Sequence, residues 1–221
     1  MTHIKKGDDI LNKKCEMFFI IVAILFIASL SGCIDLSEEN NVNHDIYNVE
    51  NEHDDARTFK VTLNEEMGRT EDGKWSSLQL SPSYSFGLRF KNITIPNNAS
   101  IINSYIEIYS TGSPGLDHPN CNIYCDNDDN ASDFTLKGAL NITGRNYTQN
   151  YSVWNETVEY GAWVKSPSID AQLQEVISRK NWTNGNSIVV LFITNGYRNY
   201  SATFKNFEQG YPAKLHIFWK N

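Results

Sequence analysis

The acidic segment from Asp126 to Asp133 has the residue types and spacing of a metal site. Asp126, Asp128 and Asn130 stand at alternate positions, and Asp133 follows them. Oxygen ligands at alternate positions of a loop suit a hard cation such as calcium. However, Ala131 stands where the calcium-loop pattern has glycine, and no suitably placed glutamate follows. Two interpretations remain: an acidic loop with Asx turns, which these departures favour, or a calcium site.

Two cysteines, Cys121 and Cys125, remain after the amino-terminal segment. A disulfide between them would suit an exported protein. If the chain between them is extended, their Cα atoms lie about 13 Å apart, beyond the disulfide reach of about 7 Å. A disulfide therefore requires a turn over 122–124, and free thiols are the alternative. No second pair of ligands is spaced for a zinc site.

The sequence predicts no catalytic residues. No serine or cysteine lies in a recognisable nucleophile motif. After residue 56 the only histidines are His118 and His216, and we expect His216 to lie within the last strand. A polysaccharide-degrading enzyme would need two facing carboxylates, which a sequence cannot place. A non-catalytic protein is the preferred interpretation.

Aromatic side chains are the candidates for glycan binding, because a ring face packs against the C–H side of a sugar. The tryptophan candidates are Trp75, Trp154, Trp163 and Trp182. However, Trp163, Trp182 and Trp219 lie in segments typical of core or helix-end packing. The preferred ligand-binding residues lie in the loop after the most apolar strand: Tyr197, Arg198 and Tyr200. The alternative, which is favoured, is that this loop is an ordinary turn without a ligand. Rings aligned on one outer sheet face would favour glycan binding, whereas inward-pointing rings would argue against it.

The amino-terminal 32 residues have the pattern of a lipoprotein signal peptide. Four lysines precede an uncharged apolar run over 17–30, and Leu30-Ser31-Gly32-Cys33 closes it. This ending resembles a lipobox, in which Cys33 becomes the lipidated first residue. The alternative is an uncleaved membrane anchor, since the apolar run is close to the minimum of about 17 residues for a spanning helix. Both interpretations place the remainder at the cell surface, on the outer side of the membrane.

Residues 33–56 are predicted to be a flexible tether, and residues 57–221 the folded domain. The tether is rich in Asn, Asp and Glu, and its scattered apolar residues bury too little surface to offset the entropy of ordering. His44 and His53 lie there beside aspartates. Solvated tether residues are the preferred interpretation, and a metal site is the alternative. The net charge of −7 and the absence of a basic cluster after Lys14 exclude nucleic acid as a partner.

Short segments with β-branched and aromatic residues dominate the remainder, and they predict an all-β fold. Two consecutive strands are predicted around the Pro/Asn turn at 96–98, and a strand buried on both faces over 187–194. Further strands are predicted over 57–63, 75–80, 122–125, 134–142, 147–154, 202–204 and 214–219. Together they indicate an antiparallel β-sandwich, most like a jelly roll, with a closed barrel as the alternative.

One short helix is predicted after Pro167, because Ile169, Leu173, Val176 and Ile177 share one helical face. Ser166 or Ser168 is the predicted N-cap.

The order of several short motifs over about residues 57–219 is similar to that of a family of extracellular modules. These motifs are FGLRF, NITIP with NASI, SYIEI, DNDDNASDFT, SPSIDAQLQEVISRKNW and NGNSIVVLFIT. The chain resembles the jelly-roll surface modules related to the DNRLRE and disaggregatase-associated carbohydrate-binding domains of methanogenic archaea and some bacteria. The turn Asn97-Asn98 and the loop 111–119 depart from that family's pattern. The resemblance implies a jelly roll at the cell surface and carbohydrate binding.

Nine Asn-x-Ser/Thr sequons favour a glycosylated surface protein. Their asparagines are Asn92, Asn98, Asn130, Asn141, Asn146, Asn150, Asn155, Asn181 and Asn199. The predicted function is a lipid-anchored extracellular module that contacts the membrane through its anchor and binds a cell-surface polysaccharide or envelope matrix. A structural envelope or adhesion protein without glycan binding is the second hypothesis. The one predicted cofactor is calcium.

Overall fold

The two main sheets of the protein are antiparallel, as a computed structural model shows. The structure describes residues 41–61, 64–66, 77–112, 118–134, 140–196 and 201–221. The first sheet has four strands, in the spatial order β1 (Asn43–Asn48), β12 (Lys214–Lys220), β6 (Ser100–Tyr109) and β9 (Trp163–Lys165). The second has six, in the order β3 (Asn64–Glu66), β2 (Asp55–Val61), β5 (Tyr84–Ile93), β10 (Asn186–Thr194), β7 (Cys121–Cys125) and β8 (Ser152–Trp154).

The order of the strands is that of a jelly roll. The chain crosses from β5 in the six-stranded sheet to β6 in the four-stranded sheet, returns to β7 and β8, and crosses again to β9. The orders β1-β12-β6-β9 and β5-β10-β7-β8 are the two halves of such a sandwich, and β2 and β3 extend the second half. A separate two-stranded sheet joins β4 (Leu78–Leu80) to β11 (Ala202–Phe204). The prediction of an all-β antiparallel sandwich is confirmed.

The core lies between the two sheets, and alternating residues of the long strands fill it. Phe86 and Phe192, from the paired strands β5 and β10, stack with ring centroids 4.4 Å apart. Both are fully buried, as is Trp154 at 1% exposure. Strand β10 is buried along most of its length, as its continuous apolar sequence predicts. The four-stranded sheet contributes Ile106, Ile108, Leu215 and Ile217.

The helix α2 (Asp170–Ile177) packs against β6 and β7 and thereby joins the two sheets. Its buried face includes Leu173, Val176 and Ile177, as the apolar spacing predicts. The amide Nε2 of Gln172 donates to the carbonyl oxygen of Ile123 at 3.0 Å. The N-cap position is Ile169, one residue after the predicted Ser168, and the Ser168 Oγ atom accepts a hydrogen bond from the backbone N–H of Asp170 at 3.3 Å.

The outer face of the six-stranded sheet is covered by a second apolar cluster that includes Phe134 and Ile142. The predicted strand over 134–142 is wrong: Phe134 lies outside any strand, and a one-turn helix, α1 (Leu140–Thr143), begins after it. Phe134 packs against Gly87 of β5, where an added Cβ would lie 2.7 Å from the Phe134 Cζ atom. Glycine at 87 is therefore required for this covering segment to approach the sheet.

The amino-terminal part of the predicted tether is a strand of the sandwich. The compact unit spans Val42–Asn221, and β1 pairs with β12 along its whole length. Val49 is buried at 2% exposure, and the indole Nε1 of Trp219 donates to Asp45 Oδ2 at 2.7 Å. Asp54 is buried and pairs with Arg89 at 2.9 Å. The tether prediction is therefore wrong for residues 43–56, because inward-facing side chains anchor them.

The described residues include no helix long and apolar enough to cross a membrane. The predicted signal peptide over 1–32 and the lipidation residue Cys33 lie outside the described residues.

Candidate functional site

The outer face of the four-stranded sheet is built by strand alternation on β6. Ile106 and Ile108 point into the core, so Tyr105, Glu107 and Tyr109 point outward. A strand with this pattern offers aromatic and charged side chains to solvent on one face.

The neighbouring strands extend this outward-facing row. The register places Trp163 of β9 opposite Tyr109 and His216 of β12 opposite Tyr105. The loop before β12 adds Tyr211, whose ring centroid lies 4.5 Å from that of Tyr109. We call this surface the aromatic face; its rings are His44, Tyr105, Tyr109, Trp163, Tyr211, His216 and Phe218.

The end of the aromatic face around Trp163 is open to solvent. Trp163 is 39% exposed. Its ring meets Tyr109 edge to face at 5.6 Å and 84°, and its centroid lies 6.1 Å from Tyr211. The Tyr109 hydroxyl donates to the carbonyl oxygen of Gly161 at 2.7 Å, which holds this ring in place. Three rings therefore form a fixed, partly exposed group.

Charged side chains lie among these rings. Lys214 Nζ lies 4.2 Å from the centroid of the Trp163 ring and 2.8 Å from Glu107 Oε2. Partial burial works against ionisation of Glu107, but the hydrogen bond and charge of Lys214 outweigh it, so the pKa of this carboxyl lies below its ordinary value. Lys205 Nζ lies 4.2 Å from the centroid of the Tyr211 ring. The face thus combines apolar ring surface with charged hydrogen-bonding groups.

The other end of the aromatic face is a stack of rings across three strands. His44 of β1 stacks on Phe218 at 3.9 Å, and His216 stacks on Tyr105 at 4.7 Å. The two imidazoles approach each other, with His44 Nε2 and His216 Nδ1 3.2 Å apart. Burial lowers the pKa of His216, which is 8% exposed, so its neutral form is favoured.

The predictions for individual tryptophans had mixed outcomes. Trp182 is buried at 2% exposure, and its Nε1 donates to the carbonyl oxygen of Ile95 at 2.9 Å, so its assignment to helix-end packing is confirmed. Trp163 was expected to be core-like and is instead on the open surface. Trp154 was a glycan candidate, but it is buried in the core. The remaining ligand-binding candidates Trp75, Tyr197, Arg198 and Tyr200 lie outside the described residues.

The four residues of the predicted calcium loop make hydrogen bonds within the protein. Asp126 Oδ2 pairs with Arg145 Nη1 at 2.6 Å, and Asn130 Oδ1 accepts from the Ser187 backbone N–H at 2.9 Å. Asp128 Oδ1 accepts from the Asn130 backbone N–H at 3.0 Å, an Asx turn. Asp133 contributes its carbonyl oxygen to Arg145 Nη2 at 3.1 Å. Across the described residues, no three His, Cys, Asp or Glu side chains group as a metal site. Calcium binding stays a prediction.

The two cysteines of β7 are free thiols, and both are buried. The turn that a disulfide would require is absent, since 121–125 is a continuous strand paired with β10. Cys121 and Cys125 therefore point the same way four residues apart, too far for a disulfide. The disulfide alternative is wrong. Burial raises the pKa of both thiols, which disfavours the reactive thiolate.

These thiols should therefore resist alkylation in the native protein. We expect iodoacetamide to modify Cys121 and Cys125 only after unfolding in urea. In the folded protein, burial keeps the reagent away from both thiols and disfavours the reactive thiolate form. Peptide mass spectrometry after short labelling times will measure each residue separately. If the folded protein were labelled as fast as an exposed thiol, the conclusion that both thiols are buried would be wrong. A Cys121–Cys125 disulfide in the peptide map would show that the two thiols are not free.

The predicted glycosylation sites do not fall on the strands that build the aromatic face. The described sequon asparagines with assigned side chains are all exposed: Asn92, Asn98, Asn130, Asn146, Asn150, Asn155 and Asn181. The backbone of Asn141 is in α1, and Asn199 lies outside the described residues. No sequon asparagine falls within 43–48, 100–109, 163–165 or 214–220, the strands that build the aromatic face. Glycosylation at the predicted positions would leave those strands unmodified.

Neither the models of known protein families nor the curated proteins gave a match to this chain. The resemblance to the DNRLRE and disaggregatase-associated modules therefore stays a prediction.

Proposed function

We propose that this chain is a non-catalytic cell-surface module that binds a polysaccharide through its aromatic face. The observation that carries the proposal is the partly exposed group of Trp163, Tyr109 and Tyr211 on a sheet face. Aromatic rings pack against the C–H faces of sugars, and sheet strands hold them in fixed positions. Glu107 and Lys214 lie beside the rings, where they can bond sugar hydroxyls.

Two features of the sequence support an extracellular setting for this binding. The lipobox ending at Cys33 would anchor the module to the membrane surface, and the abundant sequons suit a surface glycoprotein. None of the predicted glycosylation sites falls on a strand of the aromatic face. Attached glycans would therefore leave those strands accessible to a polysaccharide.

A structural role in the envelope is the second candidate, and the edge strand β1 favours it. Ile46 is 48% exposed and Val42 is 43% exposed, and no described strand pairs with the outer edge of β1. This edge therefore offers apolar side chains and a strand edge to another protein. In that case the chain would bind an envelope protein through β1 and no polysaccharide.

A substitution of Trp163 tests the glycan proposal. The full-length protein in detergent should bind at least one of a panel of insoluble polysaccharides, and Trp163→Ala should weaken this binding at least about tenfold, equivalent to about 1.4 kcal/mol. Affinity is measured by depletion of protein from solution. Tyr151→Ala is the matched control, because Tyr151 is 53% exposed and precedes β8 of the other sheet. Absence of binding to the whole panel, or equal weakening by both substitutions, would reject the proposal.

A further inference from the structure

The paired imidazoles of His44 and His216 lie on the two outermost neighbouring strands of the four-stranded sheet. Asn43–Asn48 pairs with Lys214–Lys220 so that His44 lies opposite Phe218 and Ile46 opposite His216. The two histidines are therefore diagonal neighbours on the outer face. His44 Nε2 and His216 Nδ1 are 3.2 Å apart.

We propose that His44 Nε2 and His216 Nδ1 bind one transition-metal ion of the zinc, copper or nickel class. Zinc binds imidazole nitrogen at about 2.0–2.1 Å in tetrahedral geometry, which places two ligand nitrogens about 3.3 Å apart. The observed separation of 3.2 Å is already close to this value. Imidazole ligands suit these metals and do not suit calcium, which takes oxygen ligands. This site is distinct from the acidic loop around Asp126.

Both imidazole rings are held before any ion arrives. Phe218 stacks on His44 at an interplanar angle of 7°, and Tyr105 stacks on His216 at 14°. Held rings lose little side-chain entropy on binding, which is the main benefit of a preorganised site.

The surroundings of His216 favour the tautomer that binding requires. Its other ring nitrogen, Nε2, lies 3.6 Å from Glu107 Oε2, and Lys214 Nζ lies 2.8 Å from the same carboxylate oxygen. A carboxylate near Nε2 favours the proton on that nitrogen and leaves the lone pair on Nδ1. Carboxylates commonly orient metal-binding histidines in this way. The two facing nitrogens are within hydrogen-bond distance of each other, and ion binding requires both to present lone pairs, which places the ring proton of His44 on Nδ1.

The two histidines leave further coordination positions for water or other small ligands. Among the described residues, no third His, Cys, Asp or Glu completes a group with them. A bound ion would join β1 to β12, because each histidine belongs to one of these strands. Metal binding should therefore stabilise the attachment of the edge strand, whether or not the aromatic face binds glycan.

Zinc titration of the full-length protein in detergent tests this site. We expect isothermal calorimetry to show one zinc-binding event that His44→Gln weakens at least tenfold. His44 is exposed, so this substitution should leave the fold intact, as far-ultraviolet circular dichroism will check. His53→Gln is the matched control in the same segment and should retain wild-type affinity. Saturating zinc should also raise the urea midpoint of the wild type, and not that of His44→Gln, because only the folded state presents both ligands.

Equal zinc affinity in the wild type and His44→Gln would overturn the proposal, as would a wild type that binds no zinc. Loss of affinity in His53→Gln with retention in His44→Gln would place the site elsewhere and would also overturn it. Competition by calcium at equal concentration would contradict imidazole ligation. Zinc titration of Trp163→Ala separates this site from the proposed function, because Trp163 lies on neither β1 nor β12. This variant should lose glycan binding and retain wild-type zinc affinity.

Discussion

A chain that begins at Arg57, the predicted domain boundary, is expected to lose at least about 5 kcal/mol of folding free energy. This truncation removes β1, the buried Val49 and the contacts of Asp45 with Trp219. It also removes Asp54 and thereby leaves the guanidinium of Arg89 without its carboxylate partner. Because natural domains have only about 5–15 kcal/mol of stability, a loss of this size should abolish cooperative unfolding.

Urea unfolding followed by tryptophan fluorescence measures this effect. The control is a chain that begins at Asn41, which retains every described strand and should unfold cooperatively. If the chain from Arg57 unfolds with the same midpoint as the control, residues 43–56 are a tether after all.

Replacement of Arg89 by methionine is expected to cost about 3 kcal/mol of stability. Its guanidinium donates to Asp54 Oδ1 at 2.9 Å, to the Ala131 carbonyl oxygen at 2.8 Å and to Ser187 Oγ at 3.0 Å. The Asp54 side chain is 1% exposed. Arg89→Met therefore leaves a buried carboxylate whose one remaining cationic partner among the described residues is Lys91 Nζ, at 3.3 Å. A buried charge that loses its partner is costly because water cannot replace it.

A double-mutant cycle isolates the pair. The double variant with Asp54→Asn and Arg89→Met should lose at least about 1 kcal/mol less folding free energy than the two single variants lose together. The reason is that the double variant leaves neither charge buried without its partner. Lys180→Met is the control for loss of an exposed cation and should change stability by less than about 0.5 kcal/mol. Additive single effects, or a cost for Arg89→Met no larger than the control, would contradict this account of the buried pair.

The sequence predicts the long strands and the helix well, because periodicity is clear over many residues. β5, β6, β10 and α2 each present a repeated apolar pattern. The pattern fails around Phe134, where a few apolar residues cover a sheet from outside without forming a strand. Phe134 and Ile142 could be buried as parts of a strand or in a segment that covers a sheet. Local sequence cannot distinguish the two, because both need only isolated apolar side chains.

The sequence pattern does not predict β1, because one of the inward-facing positions of this strand is polar. Asp45, Tyr47 and Val49 share one face, but Asp45 and the surrounding Asn and Glu residues lower the apolar content below that of a usual strand. The indole of Trp219 compensates for the inward carboxylate. That contact joins positions 174 residues apart, and no local pattern reveals it.

The candidate site was missed for a related reason. β9 has three residues, too few to show a period, so Trp163 was assigned to the core. Its pairing with Tyr109 then determines that the ring faces outward. His44 and His216 are 172 residues apart, and only the closing of β1 against β12 brings them together. Topology, not composition, assembles the aromatic face.

The pairing of β1 with β12 also determines how the module would respond to mechanical load. Asn43 lies opposite Trp219, so tension applied between the chain before β1 and the chain after β12 acts at adjacent ends of the two antiparallel strands. Such a force breaks the backbone hydrogen bonds between β1 and β12 one after another from that end, and it does not load all of them at the same time. A metal ion held by His44 and His216 would lie near the first of these bonds and would oppose the peeling where it starts.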